Sequence, residues 1–325
     1  MPFRVRSTLK LLAALAVFLL LLPATGCADR SQAGSGEFVL RVGATSVTGT
    51  PAGSLGWGDK QGILLENLAP AGVTGIEYSF FQSGKDVVAA LLSGAIDVAA
   101  VGDNPSLTAR GNGADIALLA LDSINGDSWL IGAQGGPTSI DGLVGKTVTA
   151  PQGTIRDRAA RQLIETAGLT GKIEVKDVPT PESIAGLSSG QIDATIVTEA
   201  SAVELQRRGF PVIDKTSNHG QGSVGTTVAL NSFVAEHPGF LQAWQAAIGN
   251  TNRHIVNNLD AYTEWVAQTD GIAVDLVREA TKANTFNTEP FPEQGLAQLR
   301  QAHDFLLADR AFPVGFDVAA WARRS

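Results

Sequence analysis

Ser93-Gly94-Ala95-Ile96-Asp97 returns as Ser189-Gly190-Gln191-Ile192-Asp193, each time after an apolar stretch of helical spacing and before a short β-type run. In the first copy, residues 86–92 keep apolar side chains on one helical face. Gly94 can then take the left-handed conformation that ends a helix, and residues 96–101 read as a buried strand. In the second, residues 181–187 run into the same corner and 194–197 follow as the strand. The same order twice predicts two similarly built α/β units. Asp97 and Asp193 are then structural, at the end of each sheet away from any cleft.

Outward from these corners, β-type runs alternate with helical stretches. Strands are expected at 38–42, 76–81, 96–101 and 116–121, and in a second series near Trp129, at 147–150, 173–178, 194–197 and 211–213. Such alternation predicts mostly parallel sheets with helices on both faces. After a last β-type run at 226–230 the spacing becomes helical to the end. The expected organisation is lobe 1 at 38–127, lobe 2 at 128–230, and C-terminal helices at 231–325 returning to lobe 1. Crossings near 125–130 and 222–235 would form a hinge.

The chain has 325 residues, 44% of them hydrophobic and 17% charged, enough for one large core or two medium ones and unlike a disordered chain. Only its start is unusual. Arg4, Arg6 and Lys10 precede an apolar run at 11–22 and then Pro23-Ala24-Thr25-Gly26-Cys27, the anatomy of an export signal and shorter than the roughly 20 residues of a membrane span. Cys27 is the single cysteine, so no intrachain disulfide is possible. Its position resembles the lipid-accepting cysteine of a bacterial lipoprotein, with Ala24 in place of the usual Leu; an ordinary cleaved signal with a free thiol is the alternative. Residues 1–26 are thus read as a lipoprotein signal peptide and 27–37, rich in small and polar residues, as a flexible tether. Two acyl chains on Cys27 would anchor the protein to the cell membrane; without them it would be secreted or periplasmic. Loss of residues 1–26 leaves 21 Lys and Arg against 32 Asp and Glu, which argues against a nucleic-acid partner.

In open α/β sheets, ligands sit beyond the carboxyl ends of the strands. The candidates there are Ser46 and Thr48 after the first strand, Ser83, Gly84 and Lys85 after the second, and Gly102, Asp103 and Asn104 after the third. The second unit adds Gly153, Thr154 and Arg156, then Thr198 and Glu199. Ser83-Gly84 and Gly153-Thr154 each join a glycine to a hydroxyl at a helix start, where free N–H groups and the helix dipole favour an anion. Lys85 and Arg156 oppose that dipole, so something negative should compensate. Trp57, between Gly56 and Gly58, is either a stacking platform in a loop or a core anchor; Glu199 meets an amine or caps its helix. His219, His237, His254 and His303 are scattered, with no metal-ligand spacing, no Gly-x-Ser-x-Gly elbow and no phosphate loop. No cofactor, metal or catalytic residue is implied.

The stretches 81–84, 93–97 and 101–105, then 141–148 with 152–154, 189–193 and 233–238 together resemble the solute-binding proteins of ABC importers for aliphatic sulfonates, taurine and nitrate (NMT1-like). The resemblance covers nearly the whole exported chain. It implies a two-lobed type II periplasmic-binding-protein fold that closes on a small anion or zwitterion and presents it to a membrane permease. By position it places ligand contacts at Ser46, Ser83-Gly84, Gly102-Asp103, Gly153-Thr154 and Thr198-Glu199. Lys85 and Asp86 stand where the family often has small residues or proline, and Thr198-Glu199-Ala200 replaces a frequent aromatic or proline-containing turn. A monomeric, non-enzymatic binding protein is expected; the alternatives are a cofactor-biosynthetic enzyme on the same fold and an extracellular sensor.

Overall fold

The computed structural model describes residues 38–46 and 48–322. The expected signal peptide, Cys27 and the tether to residue 37 lie outside the described residues. The first unit runs β1 (Phe38–Thr45), α1 (Gly53–Lys60), α2 (Ile63–Leu68), β2 (Val73–Phe81), α3 (Gly84–Leu92), β3 (Val98–Gly102), α4 (Asp103–Gly111) and β4 (Ile116–Gly126). The second runs β5 (Ser128–Gly132), β6 (Thr147–Thr149), α5 (Ile155–Thr166), β7 (Glu174–Lys176), α6 (Thr180–Ser189), β8 (Ala194–Thr198), α7 (Glu199–Arg207) and β9 (Val212–Lys215). Then come β10 (Ser223–Leu230), α8 (Asn231–Glu236), α9 (Phe240–Asn257), α10 (Leu259–Asp270), α11 (Val274–Ala280), α12 (Glu293–Ala308) and α13 (Val318–Trp321).

The strands form two five-stranded sheets with one plan, β2-β1-β3-β10-β4 and β7-β6-β8-β5-β9. In each, four strands run in one direction and the remaining one, fourth in spatial order, is antiparallel to both of its neighbours. The sheets are therefore mixed, mostly parallel in strand direction as expected but with one antiparallel strand, because that strand enters from the other unit: β5 directly follows β4, and β10 arrives from β9. This also moves one boundary. Residues 223–230, expected in lobe 2, belong to the first sheet, where Val228 pairs with Ala99 and Leu118.

The repeated corner is repeated in three dimensions. Gly94 and Gly190 have φ of +75° and +74°. Ala95 N donates to Ala90 O and Gln191 N to Gly186 O, both at 2.9 Å; the hydroxyls of Ser93 and Ser189 donate to Ala90 O and Gly186 O. Each aspartate then ties the central strand to its parallel neighbour, β3 to β1 and β8 to β6. Asp97 accepts from Arg41 N at 2.8 Å and pairs with the Arg41 guanidinium, while Asp193 accepts from Thr147 N and from Lys146 Nζ at 2.8 Å. Both corners lie at the starts of β3 and β8, opposite the strand ends that carry ligands in such sheets.

Alternate side chains of the first sheet serve two cores. Ala99, Val101, Ile116 and Leu118 face α3, α4 and α12, whereas Val98, Ala100, Ala117 and Leu119 face α1, α2 and α9. The second sheet likewise buries Val148 and Ile196 against α5, and Ile131 and Val197 against α6 and α7. The last helices do not all return to lobe 1: α9, α12 and α13 cover the first sheet, but α11 packs on α7 of the second unit. Arg207 pairs there with Asp275 and Glu279.

Candidate functional site

At the carboxyl ends of β1 and β3 lies a cavity of about 240 Å³, below the ~300–1,000 Å³ of sites that take drug-sized ligands. Its walls come from the first sheet (Thr45, Gly102), the start of α1 (Ala52, Leu55) and the two crossing strands (Asp122, Ser123 and Gly126 of β4; Ser223 and Gly225 of β10). Ile155 of α5 closes it from the second unit. Gly102 is what lets the units meet, since a Cβ there would stand 2.5 Å from Ile155 Cδ1. Helix α1 begins without a side-chain cap and without an acid in its first turn, so its first N–H groups have no intrahelical partner.

Asp122 is the only charged residue lining this cavity among the described residues. Its carboxyl receives a hydrogen bond from Ser123 Oγ at 3.3 Å and forms no ion pair among the described residues. Burial pushes its pKa up to about 6, against these hydrogen bonds. The backbone of Asp122 is held firmly: its carbonyl accepts from Ser54 Oγ at 3.2 Å and Asn252 Nδ2 at 2.9 Å. Gly225 makes room for the carboxyl, because a Cβ there would lie 1.9 Å from Asp122 Oδ1.

The residues singled out in the sequence do not all gather here. Gly102 lines the cavity, and Ser46 follows Thr45 at its edge, where its Oγ accepts from the N–H of Thr48, Gly49 and Thr50 at 3.1–3.3 Å. Thr48 belongs to that turn. Lys85, Asn104 and Gly153 line a separate groove of about 950 Å³ between α3, α4, α5 and α12; its walls are helix flanks rather than strand ends. Ser83 and Thr154 cap their own helices, accepting from Asp86 N and Asp157 N, and Gly84 backs onto Pro105. The compensating negative charge expected at these starts is the chain's own. Asp86 Oδ2 accepts from Ser83 Oγ at 2.7 Å, and Asp157 Oδ2 accepts from Gly153 N at 3.0 Å.

Trp57 is a core anchor. It lies in α1, not a loop, is 3% exposed, donates to His254 Nδ1 at 3.0 Å and packs against Tyr262 and Trp265. Its flanking glycines serve close packing: a Cβ on Gly56 would meet Pro51 O at 2.0 Å and one on Gly58 would meet Thr251 Oγ1 at 2.5 Å. Thr198 precedes α7 without a side-chain cap, and Glu199 pairs with Lys282; burial nonetheless raises the Glu199 pKa. Arg156 has no ion-pair partner among the described residues, its Nε is buried without a hydrogen bond, and burial lowers its pKa.

Asp103 and Asn104 link the two units. Arg158 of α5 donates to Asp103 Oδ2 at 2.7 Å and Asn104 Oδ1 at 2.8 Å, and Asn104 Nδ2 donates to Thr154 O. The Arg158 and Asp103 side chains are 2% and 0% exposed, and Val224 N of β10 also reaches Asp103. Asp122, Ser123 and Ser223 were missed by the sequence reading. The signal for Asp122 and Ser123 is the switch from the apolar run at 116–121 to two polar residues in the second half of β4; Ser223, at the start of β10, has no such local mark.

A family model described as NMT1/THI5 like matches residues 69–261. The taurine-binding periplasmic protein of Escherichia coli (strain K12) is 22% identical over 233 residues, 69% of this chain and 72% of that protein. Among solved structures, the alkanesulfonate-binding protein SsuA from Xanthomonas axonopodis pv. citri, bound to MOPS, has a TM-score of 0.70 at 19% identity, covering 88% of this chain and 98% of that one. The desulfurization enzyme DszB has a TM-score of 0.68 at 17% identity, covering 88% and 97%.

Proposed function

The chain belongs to the NMT1/THI5-like family and has a two-lobed periplasmic-binding-protein fold, and from that premise we propose that it is the solute-binding protein of an ABC importer for a small sulfonate-type solute. The observation that carries this is the cavity at the carboxyl ends of β1 and β3, whose walls come from both units and from both crossing strands. A solute held there would touch the first sheet, both crossing strands and Ile155 of the second unit, so its binding would favour a closed arrangement that a permease can read.

The uncapped start of α1 offers N–H donors and the positive end of a helix dipole to a sulfonate. Thr45, Ser123 and Ser223 add hydroxyls. Ser46, at the edge, orders the loop. This chemistry suits capture rather than turnover, although DszB is an enzyme on a similar fold: the polar lining is hydroxyls and one carboxyl, with no His, Cys or Lys among the described residues. The protein would work outside the cytoplasm as a monomer, tethered through a lipidated Cys27. Cys27→Ser should then move it from the membrane to the soluble fraction.

A thermal-shift screen with taurine, MOPS, ethanesulfonate and nitrate tests the reading. A solute at 100 times its Kd adds about 2.7 kcal/mol to the folded state, so at least one should raise the melting temperature by several degrees. No shift with any of them would remove the proposed ligand class.

A further inference from the structure

A cavity meant for a simple anion should contain a cation or, at the least, no fixed negative charge. This one contains the opposite. Of the residues that line it, Asp122 alone is charged, and no Lys, Arg or His pairs with it among the described residues. Its place is also built. Ser54 and Asn252 fix its backbone, Ser123 orients one oxygen, and Gly225 on the neighbouring strand leaves the space its carboxyl occupies. An alanine at 225 would overlap that oxygen.

We propose that Asp122 is the specificity-determining residue of the site and that it selects solutes carrying an ammonium group alongside their anion, against plain anions of the same size. This rests on the solute-binding reading above and sharpens it. The α1 start takes the anionic end, and Asp122, joined to α1 through Ser54 Oγ, takes the cationic end within the same small space. A plain alkanesulfonate or nitrate would bring a second negative charge beside a carboxylate with no counter-ion, which costs binding. A zwitterion neutralises it. Burial raises the Asp122 pKa, and an ammonium group beside the carboxyl would lower it again.

The test uses matched pairs that differ only by a methyl in place of the ammonium: taurine with 1-propanesulfonate, and β-alanine with butyrate. Binding is measured by calorimetry at pH 7.5 with the full chain and with Asp122→Asn. The expected result is that the ammonium member of at least one pair binds ten-fold or more tightly than its methyl partner, and that Asp122→Asn shrinks this ratio to about one. If the methyl member binds as tightly or more tightly to the unaltered protein, the inference is overturned while the solute-binding reading stands. If no member of either pair binds, the inference falls; the solute-binding reading falls with it only if MOPS, ethanesulfonate and nitrate also leave the melting temperature unchanged. Should Asp122→Asn fail to fold, the two ratios on the unaltered protein still decide.

Discussion

Replacing Asp122 by Asn should stabilise the unliganded protein at neutral pH, because a carboxyl with a folded pKa of about 6 is disfavoured as an anion where it sits. The sign follows from linkage. A folded pKa above the unfolded one means that the folded state holds the proton more tightly, so stability is greatest below the unfolded value and is lost as pH rises through about 6. Asp122→Asn should therefore gain roughly 1–3 kcal/mol at pH 7.5, and the gain should vanish towards pH 4. Denaturant melts across that range check it; a gain that is constant with pH would contradict it. Of the groups around Asp122, Ser54 of α1 and Asn252 of α9, which hold its backbone carbonyl, and Ser123 and Ser223 do not titrate, and Tyr262 of α10, which feels its charge, is itself pushed further up by burial. Trp57 marks the limit of reading single residues from sequence. Glycines on both sides suggest a loop, but here they let α1 pack against Pro51 and Thr251, and close packing leaves no local trace that separates the two cases.

The two corners are equivalent elements, and they should behave as such. Gly94→Ala and Gly190→Ala each force a side chain into the left-handed region and should each cost about 1–2 kcal/mol. Being in different sheets, the two losses should add in the double variant; chemical denaturation measures this, and a marked shortfall from additivity would deny the corners their independence. The contact between α4 and α5 should behave differently. Arg158→Met leaves the Asp103 carboxylate buried and unpaired, which should cost about 3–5 kcal/mol, whereas Asp103→Leu combined with Arg158→Met should recover most of it. Equal losses in the single and double variants would show that the pair is not what holds the units there. Every strand expected from the sequence exists, because short apolar runs bounded by glycine and polar residues are local signals. The partner of β10 is not local. Its run at 226–230 follows the second unit in the chain, and only the crossing at 216–222 sends it back to the first sheet. The self-capping of Ser83 and Thr154 was half legible: the hydroxyl at the helix start was readable, but whether its donors face solute or the chain's own Asp86 and Asp157 depends on rotamers.

At the scale of the whole molecule, two strands side by side connect the units, and Asp127 fastens them where they cross. Its carboxylate accepts from Thr216 Oγ1 at 2.8 Å, Ser217 N at 2.9 Å and Ser217 Oγ at 2.6 Å. Any motion of one unit against the other pivots there and must also accommodate α11, which is tied to α7 by Arg207 and beside which Lys282 holds Glu199. A hinge with its cavity immediately adjacent explains why a solute of modest size could stabilise a closed form. On this account the ligand is proposed to sit in the small cavity rather than in the larger groove between α3, α4, α5 and α12. Hydrogen–deuterium exchange with and without a saturating amount of taurine, 1-propanesulfonate, β-alanine or butyrate, whichever raises the melting temperature most, tests this directly. The expected result is new protection at 44–46, 100–102, 122–126 and 223–225 of the first unit together with 155–156 of the second. Protection confined to the groove, at 85–92, 104–114 and 305–311, or no binding by any of the four, would contradict a solute held between the two units.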